Sequence, residues 1–447
     1  MRAYSARIVG AALLALGILA AGCEQAPATV LWKRTSWSGV PNLPPQAAAG
    51  RPVLYVSFDL TGLRSQPNDR TVLPVPDGSA IVLVKTRSTR TQSGGYVWQG
   101  KVEGDDESIA TLVIERDTLV GSASTSSGRV YRIGQVAPQT QVIFVIDPGA
   151  YPQEAQPLYV DVDSEGVPDT QESADCHPDQ IEMLALYTDA ACSLSFSGGP
   201  LSQCTPEARD EIVGKIRKAE EQTNTIFSES LATPQIRILS VEAAGGYVEA
   251  ETISDDLEQL LERDLVNGVA PPLLGAHSRR NQLGADTVSL ITRPTNAYPT
   301  PQKCGKSTLM SVKDPIFEKY AFSVVPADCI EDSFSFAHEL GHLLGADHDS
   351  DGNRLPSQIP NNRAFVMANP QGETDPWRTV MAENSNACTA SKKDIGCIRL
   401  PYFSNPNPML KHGGQLMGAA ERNNAFVVSD TAGAVADYRP SLSCSEG

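Results

Sequence analysis

Hydrophobic positions along the chain fall into two successive rhythms. Across residues 51–170 they form short β-type runs set off by turn residues, and strands are predicted at residues 53–58, 80–84, 109–114 and 141–146. From residue 181 the rhythm changes. Apolar runs at 181–188, 236–241 and 285–291 read as strands, with helical-period segments between and after them. Thr205 is a good N-cap and Pro206 a good first helical residue, which predicts a helix to about residue 228. A second helix is predicted over 253–265, capped by Thr252 or Ser254. A third follows Asp332 or Ser333, and a closing helix covers 424–437. The class is therefore α+β, with a β-rich unit at 51–170 followed by an α/β unit at 181–447. Residues 171–180 fall in an acidic, aperiodic boundary, and residues 23–50 are an Ala-, Pro- and Gln-rich tether.

The first 22 residues carry a different signal. Arg2 and Arg7 precede an apolar run at 8–20, too short to span a membrane and built like a signal peptide. The run ends in Leu19-Ala20-Ala21-Gly22-Cys23, which resembles a bacterial lipobox. That resemblance implies a lipid on Cys23. Ordinary signal cleavage, with Cys23 spare, is the alternative. Nine cysteines are an odd number for an exported chain. Setting Cys23 aside leaves Cys176, Cys192, Cys204, Cys304, Cys329, Cys388, Cys397 and Cys444, which can all pair in an oxidising compartment. The expected pairing is 192–204, 304–329, 388–397 and 176–444. The net charge of −17 argues against a nucleic-acid partner. Membrane contact is expected only through the N-terminal lipid. The expected location is the bacterial cell envelope, with release after processing left open.

The chemistry is concentrated in residues 338–348, which read H-E-x-x-H-x-x-G-x-x-H. Residues four apart on a helix share a face, so His338 and His342 can aim at one point. Gly345 permits the left-handed backbone that ends a helix and turns the chain, bringing His348 round as a third ligand. Three protein ligands leave a tetrahedral zinc ion one position for water, and Glu339 stands where it can take a proton from that water. The sequence has six histidines, and half of them fall in this stretch.

This extended motif resembles that of the metzincin metallopeptidases, in which a Met-turn lies downstream. Residues 377–382 look like that turn, with Met381 beneath the zinc. Asp349, directly after the third histidine, resembles the adamalysin/reprolysin branch, and there it is expected to orient the turn by hydrogen bonding. Residues 402–406 resemble the specificity segment of secreted bacterial members, with Tyr402 and Phe403 as substrate-binding candidates. Astacins carry a tyrosine two residues after the methionine. Glu383 stands there in this chain, so a tyrosine switch ligand is not supported. The resemblance implies a twisted, mixed but mostly parallel sheet with helices on both faces. It also implies an antiparallel edge strand at 305–312, starting at Gly305, to which substrate is added as a strand. Residues 96–133 are similar to the propeptides of such enzymes. The implied protein is a zymogen. It is an exported zinc endopeptidase acting on protein or peptide substrates through a water activated by Glu339, and residues 51–170 form a prodomain that can inhibit it, with a permanent binding domain as the alternative. The competing reading is a catalytically silent surface adhesin on the same fold.

Three further signals bear on this reading. Asp347-x-Asp349-x-Asp351-Gly352 begins like a calcium loop, but Gln358 replaces the bidentate Glu such a loop needs, so no calcium is expected. Cys176 is either a thiolate switch to the zinc or half of a disulfide. His277 and His412 have no partners at ligand spacing and read as surface or core residues.

Overall fold

The computed structural model describes residues 27–65, 69–160, 180–193, 196, 204–262, 270–300, 302–349, 358–370, 375–383 and 396–442. The leader, Cys23, Cys176, Cys388 and Cys444 lie outside the described residues.

Strands and helices are mixed, as the sequence implies, and most strands belong to two sheets. The first holds β1 (Trp32–Arg34), β2 (Leu54–Phe58), β3 (Arg70–Pro74), β4 (Ala80–Arg90), β5 (Tyr96–Val102), β6 (Asp105–Glu115), β7 (Thr118–Ser124), β8 (Val130–Ala137) and β9 (Thr140–Ile146). It is antiparallel throughout, in the order β1-β2-β9-β8-β7-β6-β5-β4-β3. Alternating residues on one face, including Trp98, Leu112, Leu119 and Ile133, build a core with helix α1 (Leu60–Ser65) and β2.

The second sheet holds β10 (Leu158–Tyr159), β11 (Gln180–Tyr187), β12 (Gln235–Ala243), β13 (Thr287–Thr292), β14 (Lys306–Leu309) and β15 (Phe322–Pro326), ordered β10-β14-β15-β13-β11-β12. Strands β12, β11, β13 and β15 are parallel to one another, and β14 is antiparallel to β15. The helices are α2 (Asp189–Cys192), α3 (Pro206–Glu229), α4 (Ile253–Leu261), α5 (Leu274–Leu283), α6 (Ser335–Leu343) and α7 (Asn424–Ala436). The pleat of β11 sorts them. Ile181, Met183 and Ala185 face α3, α6 and α7, whereas Leu184 and Leu186 face α4 and α5.

Several elements depart from the sequence reading. The closing helix ends one residue early, at Ala436. Helix α4, capped by Thr252, stops at Leu261 rather than 265, because Glu262 is already extended. Helix α5 and strand β15 were not predicted: α5 is polar with a weak apolar stripe, and β15 is a five-residue run buried on both faces. Neither Asp332 nor Ser333 is the N-cap of α6, which starts at Ser335 after Phe334 in a left-handed turn (φ 62°). Asp332 is instead drawn into a buried ion cluster. It lies 2.8 Å from Arg132 Nε on β8 and 3.0 Å from Lys218 Nζ on α3, and Lys218 also reaches Glu331 at 2.9 Å.

Helix α3 lies between the two sheets. On one side Gln99 of β5 donates to Glu221 O (3.1 Å) and to Thr225 Oγ1 (2.9 Å). On the other, Asn224 and Glu220 accept from the backbone of Ile236 (2.8 Å) and Ile238 (2.6 Å), which covers the open edge of β12. Disulfides 192–204 and 304–329 form as expected. Cys397 is disulfide-bonded as well, while the 176–444 pair lies outside the described residues.

Candidate metal centre

Helix α6 carries His338 and His342 one turn apart on a single face. The helix ends at Leu343, and Gly345 follows with a φ of +83°, which only glycine adopts without strain. Thr431 of α7 satisfies the freed carbonyl of Leu344 at 2.7 Å. The chain then turns back, and His348 Nε2 comes to 3.0 Å from His338 Nε2 and 3.1 Å from His342 Nε2. All three rings are fully buried.

What surrounds the rings fixes which nitrogen faces inward. His338 Nδ1 lies 2.9 Å from Val380 O and His342 Nδ1 2.8 Å from Ala346 O. His348 Nδ1 lies 3.3 Å from Glu383 Oε1. His338 Nδ1 faces the Arg399 guanidinium as well as Val380 O; in the tautomer with Nδ1 protonated on each ring, three Nε2 lone pairs converge on one point. Lone pairs that close repel one another unless a cation lies between them. Burial, then the charges of His342 and Arg399, push His338 well below the usual imidazole range, which keeps it in the neutral form a metal needs. The site fits a zinc ion held by three imidazoles.

Glu339, the neighbour of His338 on α6, is fully buried. Its Oε2 accepts from Ser307 Oγ on β14 at 2.7 Å, while Oε1 is buried with no protein partner. Gly305 leaves it room, since a Cβ there would stand 2.3 Å from that Oε1. Met381 is fully buried under the helix, and a Cβ at Gly341 would meet its sulfur at 2.5 Å. Asp349 accepts the backbone N–H of Glu383 at 2.9 Å, which ties the third ligand's turn to the turn of Met381.

Residues 178–393 match the Metallo-peptidase family M12 profile Reprolysin_5. The chain carries a reprolysin-like metallopeptidase domain. Members of M12 use zinc, and the three-histidine cluster is in place for it. A protein of Stenotrophomonas maltophilia (strain K279a) named peptidyl-Asp metalloendopeptidase is 27% identical over 403 residues, 88% of this chain and 84% of that one. One of the same name from Xanthomonas campestris pv. campestris is 25% identical, covering 81% of this chain and 80% of that one. Another, from Pseudomonas fragi, is 40% identical over 82 residues, 18% of this chain and 47% of that one. This chain is a metalloendopeptidase.

In this reprolysin-like domain, other sequence candidates fall in different places. Phe403 stacks on Phe227 with ring centroids 5.3 Å apart, and Tyr402 packs with Trp377, Leu400 and Met417. Both side chains are buried. Asp347 accepts from His348 N–H (2.8 Å), Tyr159 OH (2.9 Å) and Arg363 (3.1 Å). Asp351 and Gly352, the next residues of the calcium-like loop, lie outside the described residues. His277 is buried with Nε2 2.9 Å from Leu260 O, and His412 pairs with Glu107.

The sequence reading missed three residues beside the peptidase site. Arg399 Nη2 stands 2.7 Å from His338 Nδ1, and its Nε donates to Val380 O at 2.9 Å. Its Nη1 donates to Ser333 O at 2.7 Å and to the carboxylate of Glu154 at 2.5 Å. Glu154 also accepts from Ser335 Oγ at 2.9 Å. Burial alone would raise the Glu154 carboxyl, but the charges of Arg399 and Arg378 outweigh it and hold it at about 2. Burial and the neighbouring Arg399 draw Arg378 down to about 9. Two basic residues, one inside the Met-turn at 378 and one beyond it at 399, are the only signal available in the sequence.

Glu154 belongs to a segment laid along β14. Cys304 N donates to Gln153 O (3.1 Å), and Ala155 N donates to Gly305 O (2.8 Å). Strand β10 then pairs parallel with β14, placing Leu158 opposite Thr308. Gln156 donates to Glu383, the carboxylate beside His348. The segment therefore runs from Gly305, next to Glu339, to the partner of the third histidine. Among the described residues, no helix is long and apolar enough to cross a membrane.

Proposed function

We propose that this chain is an exported zinc endopeptidase in which Glu339 is the general base and residues 51–170 act as a prodomain. Zinc, held by His338, His342 and His348, would polarise the scissile carbonyl and acidify water. Glu339 takes the proton from the attacking water through Oε1 and returns it to the leaving amine. Ser307 holds Oε2 so that the other oxygen faces the reaction. Buried histidine rings, oriented by Val380, Ala346 and Glu383, keep the donor set fixed. The observation that carries this reading is the convergence of three Nε2 atoms on one point, on a helix that also carries Glu339 with a buried carboxylate oxygen lacking a protein partner.

Segment 153–159 holds the full-length chain latent by taking the strand position on β14 that an extended substrate would use. The disulfides support export, and the lipobox-like Cys23 supports a lipid anchor in the cell envelope. The name peptidyl-Asp, borne by the relatives, supports cleavage at acidic residues. Casein digestion by the purified, zinc-loaded protein, with and without chelator, tests the peptidase. Chelator-insensitive cleavage, or cleavage by Glu339→Gln at the wild-type rate, would sink the mechanism. Intact mass of the mature N-terminus tests the lipid.

A further inference from the structure

We infer that Arg378 and Arg399 form the subsite that reads an acidic substrate side chain, and that Glu154 fills this subsite in the full-length chain as a built-in competitor. The inference deepens the proposed peptidase reading and rests on it.

Glu154 is set apart by where it lies. Its side chain is 2% exposed and that of Arg399 is 8% exposed. The carboxylate arrives on a segment that runs along β14 as a strand, so it is presented from an extended backbone, as a substrate side chain would be. It is received by Arg399, whose guanidinium is fixed by Val380 O and Ser333 O and lies against the first zinc-ligand ring. Ser335, the first residue of the histidine helix, donates to the same carboxylate. An acid in this position is therefore held by a guanidinium that also touches the outer nitrogen of a zinc-ligand ring.

The arginines are poorly suited to any other occupant. Two guanidiniums brought together away from water repel, and an anion between them relieves the repulsion. Arg378 keeps its Nε buried with no protein partner, while its Nη1 donates to Ala382 O. The cleft beside them is walled by Tyr151, Pro152, Ile398 and Leu400 as well as the two arginines. A neutral side chain placed there would strand both charges. A site of buried donors rejects a ligand lacking the matching acceptor far more strongly than an apolar pocket rejects an isostere.

One substitution serves both halves of the inference. Glu154→Gln keeps the size of the occupant and removes its charge. In the zinc-loaded full-length protein, Glu154→Gln is expected to raise kcat/KM on an Asp-containing fluorogenic peptide about tenfold. It is also expected to speed amide hydrogen exchange across residues 153–159. No rise in activity and no faster exchange would overturn the role of Glu154. The subsite is tested in the Glu154→Gln background with peptides that differ only by Asp, Glu or Asn beside the scissile bond. Adding Arg378→Gln should reduce the Asp-to-Asn ratio of kcat/KM about tenfold, with zinc content measured in parallel. Where zinc content falls, the comparison is read on Arg378→Lys, which keeps the charge but loses the fork and should reduce the ratio by a smaller factor. An unchanged ratio overturns the subsite while leaving the peptidase standing. Failure of every zinc-loaded form to cut any peptide overturns the peptidase reading itself.

Discussion

Glu383 places Oε1 3.3 Å from Nδ1 of His348. It stands two residues after Met381, and its backbone N–H is bound by Asp349, the residue that follows His348. The third histidine is thus oriented by a carboxylate from the Met-turn, whereas the other two rest on backbone carbonyls. Glu383→Ala is expected to weaken zinc binding about 10–100-fold, as loss of such an orienting partner does at other histidine sites. Competition against a chromophoric chelator measures this. Wild-type affinity would remove Glu383 from the metal site.

Glu339→Gln should lower kcat about 10²–10⁴-fold, the range set by loss of a general base. Zinc stoichiometry should stay at the wild-type value, because Glu339 is not a ligand. Loss of zinc together with activity would give Glu339 a different role.

Gly305→Ala probes the same carboxylate from the backbone side. A Cβ there would stand 2.3 Å from Glu339 Oε1, so the oxygen must move. Displacing a reacting group by about 1 Å can cost roughly 10²-fold in rate. The expected result is a kcat loss of that order with zinc still bound. A kcat within twofold of wild type would show that Glu339 is free to adjust.

The ion cluster between the sheets carries a stability prediction. Arg132 is 1% exposed and Asp332 has no exposed side-chain surface. Arg132→Met leaves Lys218 as the one basic side chain ion-paired with Glu331 and Asp332 among the described residues, and breaking a buried pair typically costs about 3–5 kcal/mol. Urea denaturation reads the loss. A change under about 1 kcal/mol would show that the remaining charges rearrange.

The sequence made the histidine site legible because its logic is local: one turn of helix and one glycine bend place all three ligands. The partners of that site were not legible. Glu154 and Arg399 are 245 residues apart in the chain, and no spacing rule connects them. Glu383 was noted for what it is not, a tyrosine, and its contact with His348 appears only once the turn is folded. The cap of α6 was misplaced for a related reason. Asp332 has the chemistry of an N-cap, but it contributes more by closing on Arg132 and Lys218. Thr205, with no competing partner of that kind, caps α3 as its sequence indicates.

The acid behaviour of the latch follows from Glu154. Its folded-state pKa is lowered to about 2, against roughly 4.3 in an unfolded chain. A lowered carboxyl contributes stability above the unfolded value and loses it as pH falls through the folded one. The stability difference between wild type and Glu154→Gln should therefore be constant from pH 7 to about 5 and shrink as pH falls toward 2. Urea titrations of both proteins across that range measure it. A difference already gone at pH 5 would refute the strong pairing with Arg399.

Helix α3, covered on both sides, sets the order in which the protein can be dismantled. A protease that cuts the acidic linker severs one covalent connection and leaves Gln99, Arg132 and their partners on α3, Glu331 and Asp332 untouched. The two pieces would still travel together through a sizing column. Nicking and departure are then separate events, and the second sets how long the cut protein stays whole.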